Sequence, residues 1–306
     1  MPLRSAVCNN LPLERTEGSQ HSAEGGRFQP MTNETNSGSS PAALLTFAVA
    51  ANNREMLEAN FLASPCFQAG HPHQILVQEG YPSASKAYND AIEKSRNDLI
   101  IFAHQDVIFP EGWLAQLGES LRYLAIHDPE WGVLGCYGET QEQGGRGYVY
   151  SPGPGFVGAP FQNPAEVQTL DEIVLILRKS SGLRFDDTLP NFHLYGTDIC
   201  MRASQLDRRS YAIPALCVHN SLYYLVLPEE FYTCYKHVRR VWKARLPIQT
   251  SCIRITASNK FLYERRLREF YLRHIRHRTV IADRAKDGRN LLDALRRMTA
   301  NSSELS

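Results

Sequence analysis

The chain has 306 residues, of which 43% are hydrophobic, so it is long enough to bury a substantial core and to fold without covalent staples. Its seven cysteines are scattered and odd in number, with no Cys-x-x-Cys pair, which argues against a disulfide framework and against a structural zinc site. The longest aliphatic run near the N-terminus falls far short of the roughly 20 residues that span a bilayer. These features favour a soluble, cytoplasmic protein.

The net charge of +1 hides a strong asymmetry along the chain. Residues 236–306 carry 18 Lys and Arg against 6 Asp and Glu, a net +12, which leaves residues 1–235 at −11. A basic segment of this kind can bind an anionic lipid surface or a nucleic acid, but docking on the acidic body of its own chain is the favoured interpretation. No specific nucleic-acid partner is expected.

The first half of the sequence alternates between strand and helix patterns. Residues 1–42 are rich in Ser, Asn, Gly, Glu and Thr, and such a segment is predicted to be a disordered leader because it cannot bury enough apolar surface to offset the entropy of ordering. Strands are then predicted at 44–51, 74–78 and 97–107, with helical patterns between them. This order predicts an α/β fold with a mostly parallel central sheet.

The second half is less regular. An amphipathic helix is predicted at 111–124, and residues 138–164 are predicted to form a long loop, because they are crowded with Gly and Pro. Further strands are predicted at 131–137, 167–178 and 211–218, and the sequence becomes helical and basic beyond Trp242.

The third predicted strand ends abruptly in His104, Gln105 and Asp106. Buried polar side chains are costly without partners, so these three are expected to emerge at the carboxyl end of the strand, where open α/β sheets bind their ligands. The last predicted strand ends in the same way, at His219. These two strand ends are therefore the first candidates for a functional site.

Several stretches taken together resemble the GT-A glycosyltransferases, specifically the family 2-like group that includes streptomycin-biosynthesis-type domains. The stretches that carry the resemblance are 47–54, 87–89, 102–113, 131–138, 167–172, 183–186, 193–200 and 211–221. The resemblance implies a Rossmann-like GT-A domain at 43–250, with a central sheet flanked by helices, between the leader at 1–42 and a basic helical tail at 251–306.

The resemblance also implies a divalent metal that bridges the diphosphate of a nucleotide-sugar donor. In the family an Asp-x-Asp-type motif ends the strand, and here it reads His104-Gln105-Asp106, with histidine in place of the first acid. Asp106, His219 and His104 are the implied metal ligands, and imidazole tilts the choice of ion from Mg²⁺ toward Mn²⁺. The alternative is a purely structural role for His104, in which its ring forms a hydrogen bond to a loop.

Two further acids are implied to take part in catalysis. Asp198 stands where the family has a base that accepts the proton of the acceptor hydroxyl, although an aspartate there can also cap a helix. Asp171 resembles the acidic position that faces the donor sugar or the acceptor. The implied substrate-binding residues are Asn53, Arg54, Glu79, Lys86, Asn89, His104, Gln105 and Asp106.

The sequence thus predicts a metal-assisted, inverting transferase that moves a sugar from a nucleotide-diphosphate donor, UDP-type favoured, to a hydroxyl acceptor. One alternative is a catalytically silent relative that binds a nucleotide sugar or a protein partner. A metal hydrolase built on His104, Asp106 and His219 ranks third. The basic tail adds the hypothesis that residues 265–278 hold the protein at an anionic membrane surface or a polyanionic acceptor.

Overall fold

The computed structural model describes residues 44–142, 144–221, 224–280 and 284–304. The predicted leader therefore lies outside the described residues. The strands are β1 (Thr46–Ala51), β2 (Gln74–Glu79), β3 (Leu99–His104), β4 (Val107–Ile108), β5 (Val133–Gly135), β6 (Tyr137–Thr140), β7 (Gly144–Ser151), β8 (Gly155–Gly158), β9 (Ala165–Val167), β10 (Thr169–Leu170), β11 (Val174–Arg178), β12 (Ser210–Ala212) and β13 (Cys217–His219). The α-helices are α1 (Arg54–Ala59), α2 (Ala84–Lys94), α3 (Trp113–His127), α4 (Tyr195–Gln205), α5 (Glu229–Val241), α6 (Lys260–His274) and α7 (Arg289–Glu304).

A seven-stranded central sheet has the order β2-β1-β3-β11-β5-β12-β9. Strands β1, β2 and β3 are parallel, and so are β5 and β12, whereas β11 and β9 run antiparallel to their neighbours. The register places Ala50 of β1 beside Gln78 of β2 and His104 of β3. The predicted α/β class is confirmed, with most strands of the sheet pointing the same way.

Two hydrophobic clusters cover the two faces of this sheet. Alternate residues of β1 point to opposite sides, so Ala48 packs with α2, α4 and α5 on one face, while Phe47 packs with α1 and α3 on the other. Helix α3 begins at Trp113, two residues later than predicted, because Gly112 occupies the N-cap position with a φ of 81°. The helices therefore fix the strands from both sides and leave the carboxyl ends of β1, β2 and β3 free to form a site.

The prediction of a long loop at 138–164 is wrong. These residues form most of β6 and all of β7 and β8. The second sheet has the order β10-β6-β7-β13-β4, with β8 paired to β7. The glycines are required by close strand approach: a Cβ on Gly147 would lie 2.3 Å from the carbonyl oxygen of Cys136, and one on Gly158 would lie 2.0 Å from that of Gly147. The glycines of this segment, which favour a loop by composition, instead permit close packing of neighbouring strands.

The prediction of one strand at 211–218 is also corrected. Strand β12 belongs to the central sheet and β13 to the second sheet, and Pro214 separates them. The backbone N–H of Ala215 donates to the carbonyl of Ile213 at 2.8 Å, which turns the chain from one sheet to the other. This change of sheet is what delivers His219 to the end of β3.

The basic C-terminal part lies on the body of the protein. Arg266 pairs with Glu229 at 2.6 Å and Arg296 pairs with Glu111 at 2.7 Å, while Leu292 and Leu295 pack with β4 and β13. These contacts agree with the favoured interpretation that the tail docks on its own acidic chain. Within the described ranges no helix is both long and apolar enough to cross a membrane.

Candidate active site

The ends of β3 and β13 meet where the chain passes from the central sheet to the second sheet. β3 ends at His104, and after Gln105 and Asp106 the chain continues into the short strand β4. β13 pairs antiparallel with β4, so that His219 lies opposite Val107, and the N–H of Asn220 donates to the carbonyl of Asp106 at 2.8 Å. The backbone ladder therefore fixes His219 beside Asp106.

The side chains of His104, Asp106 and His219 form a compact group with one potential ligand atom from each lying within 4.8 Å of the other two. His219 Nε2 lies 3.4 Å from Asp106 Oδ1, and the two imidazole rings are 5.7 Å apart. Around an ion with bonds of about 2.1 Å, ligand atoms stand roughly 3 to 4.2 Å apart, so small side-chain shifts close this group on a metal. Its two nitrogens and a carboxylate suit Mn²⁺ or another transition ion better than Mg²⁺.

The hydrogen bonds of His104 leave one ring nitrogen for a ligand. Nε2 lies 2.8 Å from the hydroxyl of Tyr195, which in turn donates to the carbonyl of Glu172 at 3.3 Å. In this series of hydrogen bonds, Nε2–H of His104 is the donor, so the free lone pair of the ring is on Nδ1. Nδ1 is buried and has no hydrogen-bond partner among the described residues. Burial lowers the pKa of His104 to about 3, so the ring is neutral, as a metal ligand must be.

Asp106 is 5% exposed and lies among positive or polarisable groups. Burial by itself would raise the pKa of this carboxyl, but His219, His104 and Arg284 outweigh it and hold the pKa below its ordinary value. Arg284 approaches from the segment before α7, with Nη2 3.9 Å from Asp106 Oδ2. Asn220 holds that segment in place, since its side chain exchanges two hydrogen bonds with the backbone of Ala285.

A cavity of about 660 Å³ opens at the carboxyl ends of β1 and β2. His104, Asp106 and His219 are not among its lining residues, but Ala50, the register partner of His104 on β1, lies in the cavity wall. A volume of this size is typical of small-molecule sites. The lining residues are Ala50, Ala51, Asn52, Gln78, Gly80, Tyr81, Asn191, Phe192, His193, Pro228, Glu229, Glu230 and Arg273.

The predicted residues of the first turn have mainly structural contacts. Gln105 accepts hydrogen bonds from the N–H groups of Asn52 and Asn53 at 3.1 Å each and donates to the Asn52 side chain at 2.8 Å. Asn53 caps α1 through Met56, and Arg54 pairs with Glu58 on the surface. Asn52, which precedes the two predicted residues Asn53 and Arg54, lines the cavity in their place.

The predicted residues around α2 divide in a similar way. Asn89 exchanges hydrogen bonds with the backbone of Phe185 and donates to Asp187, so it braces that loop, and the prediction that it faces the cleft is wrong. Lys86 and Glu79 are exposed. Gln78 and Gly80, on either side of Glu79, lie in the described cavity wall.

Asp198 does not have the surroundings of a base. It is 1% exposed, and both oxygens are engaged at 2.7 Å, Oδ2 by Arg202 Nε and Oδ1 by Trp242 Nε1. It lies in the fourth position of α4, which begins at Tyr195, so it is not the N-cap either. The carboxylate anchors α4 to Trp242, and this contact corrects both sequence interpretations of Asp198.

Asp171 lies nearer to the metal-ligand group. Burial raises its pKa, whereas the Ser251 hydroxyl at 2.5 Å and the nearby charge of His219 lower it. Its other oxygen accepts from the backbone N–H of Ile173 at 3.2 Å. Asp171 is therefore a buried acid that interacts with His219, and its role toward the donor sugar or the acceptor stays a prediction.

Sequence reasoning missed several groups that complete the site. The carboxylate of Glu172 packs against the N-terminus of α4, near the backbone N–H groups of Leu194 and Gly196. Burial and the neighbouring Asp171 raise the pKa of Glu172 well above its ordinary value. Glu139 lies near Asp171, and burial raises the pKa of Glu139 to about 7. Glu172 could have been found from its place beside Asp171, but Tyr195 and Arg284 come from distant segments and had no sequence signal.

No model of a known protein family matches this sequence. A curated protein of Fuscovulum blasticum, described as "ATP synthase subunits region ORF 6", is 26% identical over 133 residues, which cover 41% of this chain and 53% of that protein. The match thus spans about half the length of that relative.

Solved structures that resemble the chain include glycosyltransferases. GalNAc-T7, solved with UDP, GalNAc and Mn²⁺, is 10% identical over 78% of this chain and 57% of its own, with a TM-score of 0.43. The mannosyltransferase PcManGT from Pyrobaculum calidifontis, solved with GDP-Man and Mn²⁺, is 12% identical over 76% of this chain and 70% of its own, with a TM-score of 0.40. The streptomycin-biosynthesis-type group is identified by none of these matches and stays a prediction.

Proposed function

We propose that this protein is a GT-A-type glycosyltransferase that moves a sugar from a nucleoside diphosphate donor to a hydroxyl acceptor with the help of a divalent metal. The observation that carries the proposal is the group of His104, Asp106 and His219 beside the cavity at the ends of β1 and β2. The sequence resemblance to family 2-like enzymes points to the same reaction and favours a UDP-type donor.

The three residues of this group fit a metal by their donor set, their mutual distances and the unpartnered Nδ1 of His104. A bound divalent ion would supply charge neutralisation for the departing nucleoside diphosphate. Tyr195 fixes the ring orientation of His104, and the β4–β13 ladder fixes Asp106 and His219. These supports come from the fold itself and would hold the three ligand side chains in a defined orientation.

Arg284 is the second positive group at this point. With Nη2 3.9 Å from Asp106 Oδ2, it can hold a diphosphate oxygen next to the metal-ligand group. A guanidinium is well suited to this role, since its fork of N–H groups matches phosphate oxygens and it stays charged. We assign it to stabilisation of the leaving diphosphate.

The proton of the acceptor hydroxyl needs a different acceptor from Asp198. Two buried acids are adjacent in the chain, and both carboxylates accept hydrogen bonds: Asp171 from Ser251 and Ile173, and Glu172 from the backbone N–H groups of Leu194 and Gly196. Of the two, Glu172 has the pKa that is raised well above its ordinary value, which favours proton acceptance. The main-chain carbonyl of Glu172 accepts from Tyr195, the partner of His104. We assign proton acceptance to Glu172, and we expect transfer with inversion by direct attack.

The experiment that tests the function combines binding with turnover. Calorimetry with UDP-sugars and Mn²⁺ should show donor binding that requires the metal, and His219→Ala should abolish it. The matched control is His127→Ala, an exposed histidine on α3. Unchanged metal-dependent binding in His219→Ala would overturn the metal assignment.

Release of UDP from the bound donor, with and without a panel of hydroxyl acceptors, then separates an enzyme from a silent binder. Turnover of any donor supports the transferase. Tight metal-dependent binding without turnover across the panel would favour the catalytically silent alternative. Hydrolysis of phosphoesters or amides in the absence of nucleotide sugars would instead favour the metal hydrolase.

A further inference from the structure

Helix α6 has its polarity reversed relative to an ordinary surface helix. Its inward side carries Arg265 and Glu269, whose side chains are 9% and 5% exposed and are paired at 2.8 Å. Glu269 also accepts from the N–H of Leu227 at 3.0 Å, and Arg265 donates to the carbonyl of Leu225 at 3.3 Å. The helix is thus held to the body by this ion pair and by the apolar side chains of Phe261, Leu262 and Leu272.

The outward side of the same helix is apolar. Tyr263, Leu267 and Phe270 are 69%, 71% and 58% exposed, and their spacing of four and three residues places them in one stripe. His274 continues the stripe, with its ring 4.6 Å from that of Phe270. Tyr271 and Ile275 extend the apolar area along one edge, at 40% and 60% exposure.

Basic side chains border this stripe. Lys260, Arg266 and Arg273 lie on α6, and residues 275–278 add Arg276 and Arg278, all with exposed side chains. Residues 260–278 carry seven Lys and Arg against two Asp and Glu, a net charge of +5. An exposed apolar stripe with aromatic residues and a basic border is the pattern of a helix that lies in a membrane interface.

We propose that α6 docks this protein on an anionic lipid surface, with Tyr263, Leu267 and Phe270 entering the headgroup region and Arg273, Arg276 and Arg278 meeting lipid phosphates. A second copy of the chain fits this face less well, because two α6 helices in contact would bring like charges together. Glu229 and Arg273 line both the groove along this face and the cavity of the candidate active site. Docking through α6 therefore places the opening of that cavity next to the lipid headgroups.

Vesicle co-sedimentation of the full chain tests this proposal without any measurement of activity. We expect binding to vesicles of phosphatidylcholine and phosphatidylglycerol at about 3:1, and weaker binding in 0.5 M salt, which shortens the screening length to a few ångströms. The double variant Leu267→Glu with Phe270→Glu should lower the partition coefficient at least tenfold. Ile126→Glu is the matched control, since Ile126 is 79% exposed on α3, and it should bind as the unchanged chain does.

Three results would overturn the proposal. One is undiminished binding by the double variant, whose fold is checked by its thermal melting midpoint, and another is equal binding to vesicles of phosphatidylcholine alone. The third is light scattering that shows a dimer in the unchanged chain and a monomer in the double variant, because a second copy would then be the occupant of this face. None of these outcomes depends on whether the proposed transferase activity exists.

Discussion

Asp106 and Asp198 are both buried aspartates of this α/β domain, but their surroundings are opposite in kind. Asp198 has an arginine and a tryptophan N–H at 2.7 Å, one on each oxygen. Among the described residues, the side chain of Asp106 has longer contacts, at 3.4 Å to His219 and 3.9 Å to Arg284. Next to it, Nδ1 of His104 is buried without a partner in the described part of the chain.

Under our proposal, the difference separates a structural carboxylate, Asp198, from a functional one, Asp106. Buried polar groups normally have their hydrogen bonds satisfied, because an unsatisfied group costs free energy. The Asp198 cluster follows this rule and has no capacity left for a substrate. Next to Asp106, Nδ1 of His104 has no partner among the described residues, and such a nitrogen is expected at a site that binds a ligand.

The largest expected effect is that of Asp106→Ala on transfer. Loss of this ligand should lower turnover of the donor by at least about 1,000-fold, or about 4 kcal/mol in the activation barrier. Its loose contacts predict a change in unfolding free energy within about 1 kcal/mol. Steady-state assays and urea denaturation measure the two quantities, with Glu119→Gln on α3 as the control, and full activity in Asp106→Ala would contradict the site.

Asp198→Ala should show the reverse pattern. Removing one partner of a buried ion pair leaves Arg202 and Trp242 without their acceptor, and we expect the unfolding free energy to fall by about 3 kcal/mol. Asp198→Asn, which keeps an oxygen for Trp242, should lose less. Urea denaturation measures both, and a stable Asp198→Ala protein that has lost transfer would restore Asp198 to the role of base.

Glu172→Gln sharpens the comparison further, because it removes a carboxylate that our proposal places on the functional side. General base catalysis contributes typically 100-fold or more, so turnover should fall by about that factor while metal-dependent donor binding stays intact. Glu142→Gln, on the exposed turn before β7, is the matched control. Unchanged turnover in Glu172→Gln would remove this residue from the mechanism.

Arg284→Gln tests the longer of the two contacts of Asp106. Loss of a positive charge at the diphosphate should reduce kcat/KM about tenfold, which is about 1.4 kcal/mol. Arg122→Gln, an exposed arginine on α3, is the control. Higher activity in Arg284→Gln would show that this side chain obstructs the site instead of assisting it.

The last prediction concerns stability as a function of pH, not activity. Burial lowers the pKa of His193, in the cavity wall, to about 4, against about 6.5 in the unfolded chain. Between these values the unfolded state binds more protons, so stability falls as the pH falls, by up to about 1.4 kcal/mol per pH unit. His193→Gln should flatten this slope but not remove it, since His104 acts in the same direction, whereas the exposed His127→Gln should leave it unchanged.

Much of the first half of the fold could be predicted from the sequence, because buried parallel strands leave continuous apolar runs that end in polar residues. The apolar residues before His104 predicted both strand β3 and the polar end of that strand, where the candidate metal ligands lie. The predictions failed where glycine and proline have two meanings: Gly147 and Gly158 permit close strands, and Pro214 moves the chain between sheets. A local pattern does not distinguish these roles from those of a loop or of an uninterrupted strand.

The sequence by itself determined the α/β class and the candidate ligands His104, Asp106 and His219, because strand periodicity and residue chemistry are local properties. Only the tertiary structure decided that these three meet, that Asp198 is closed off by Arg202 and Trp242, and that Arg284 reaches Asp106 from the far end of the chain. Those outcomes depend on which side chains are left without partners after packing. That property belongs to the folded molecule, since it depends on contacts between separate elements of the fold, such as Trp242 with Asp198 and Arg284 with Asp106.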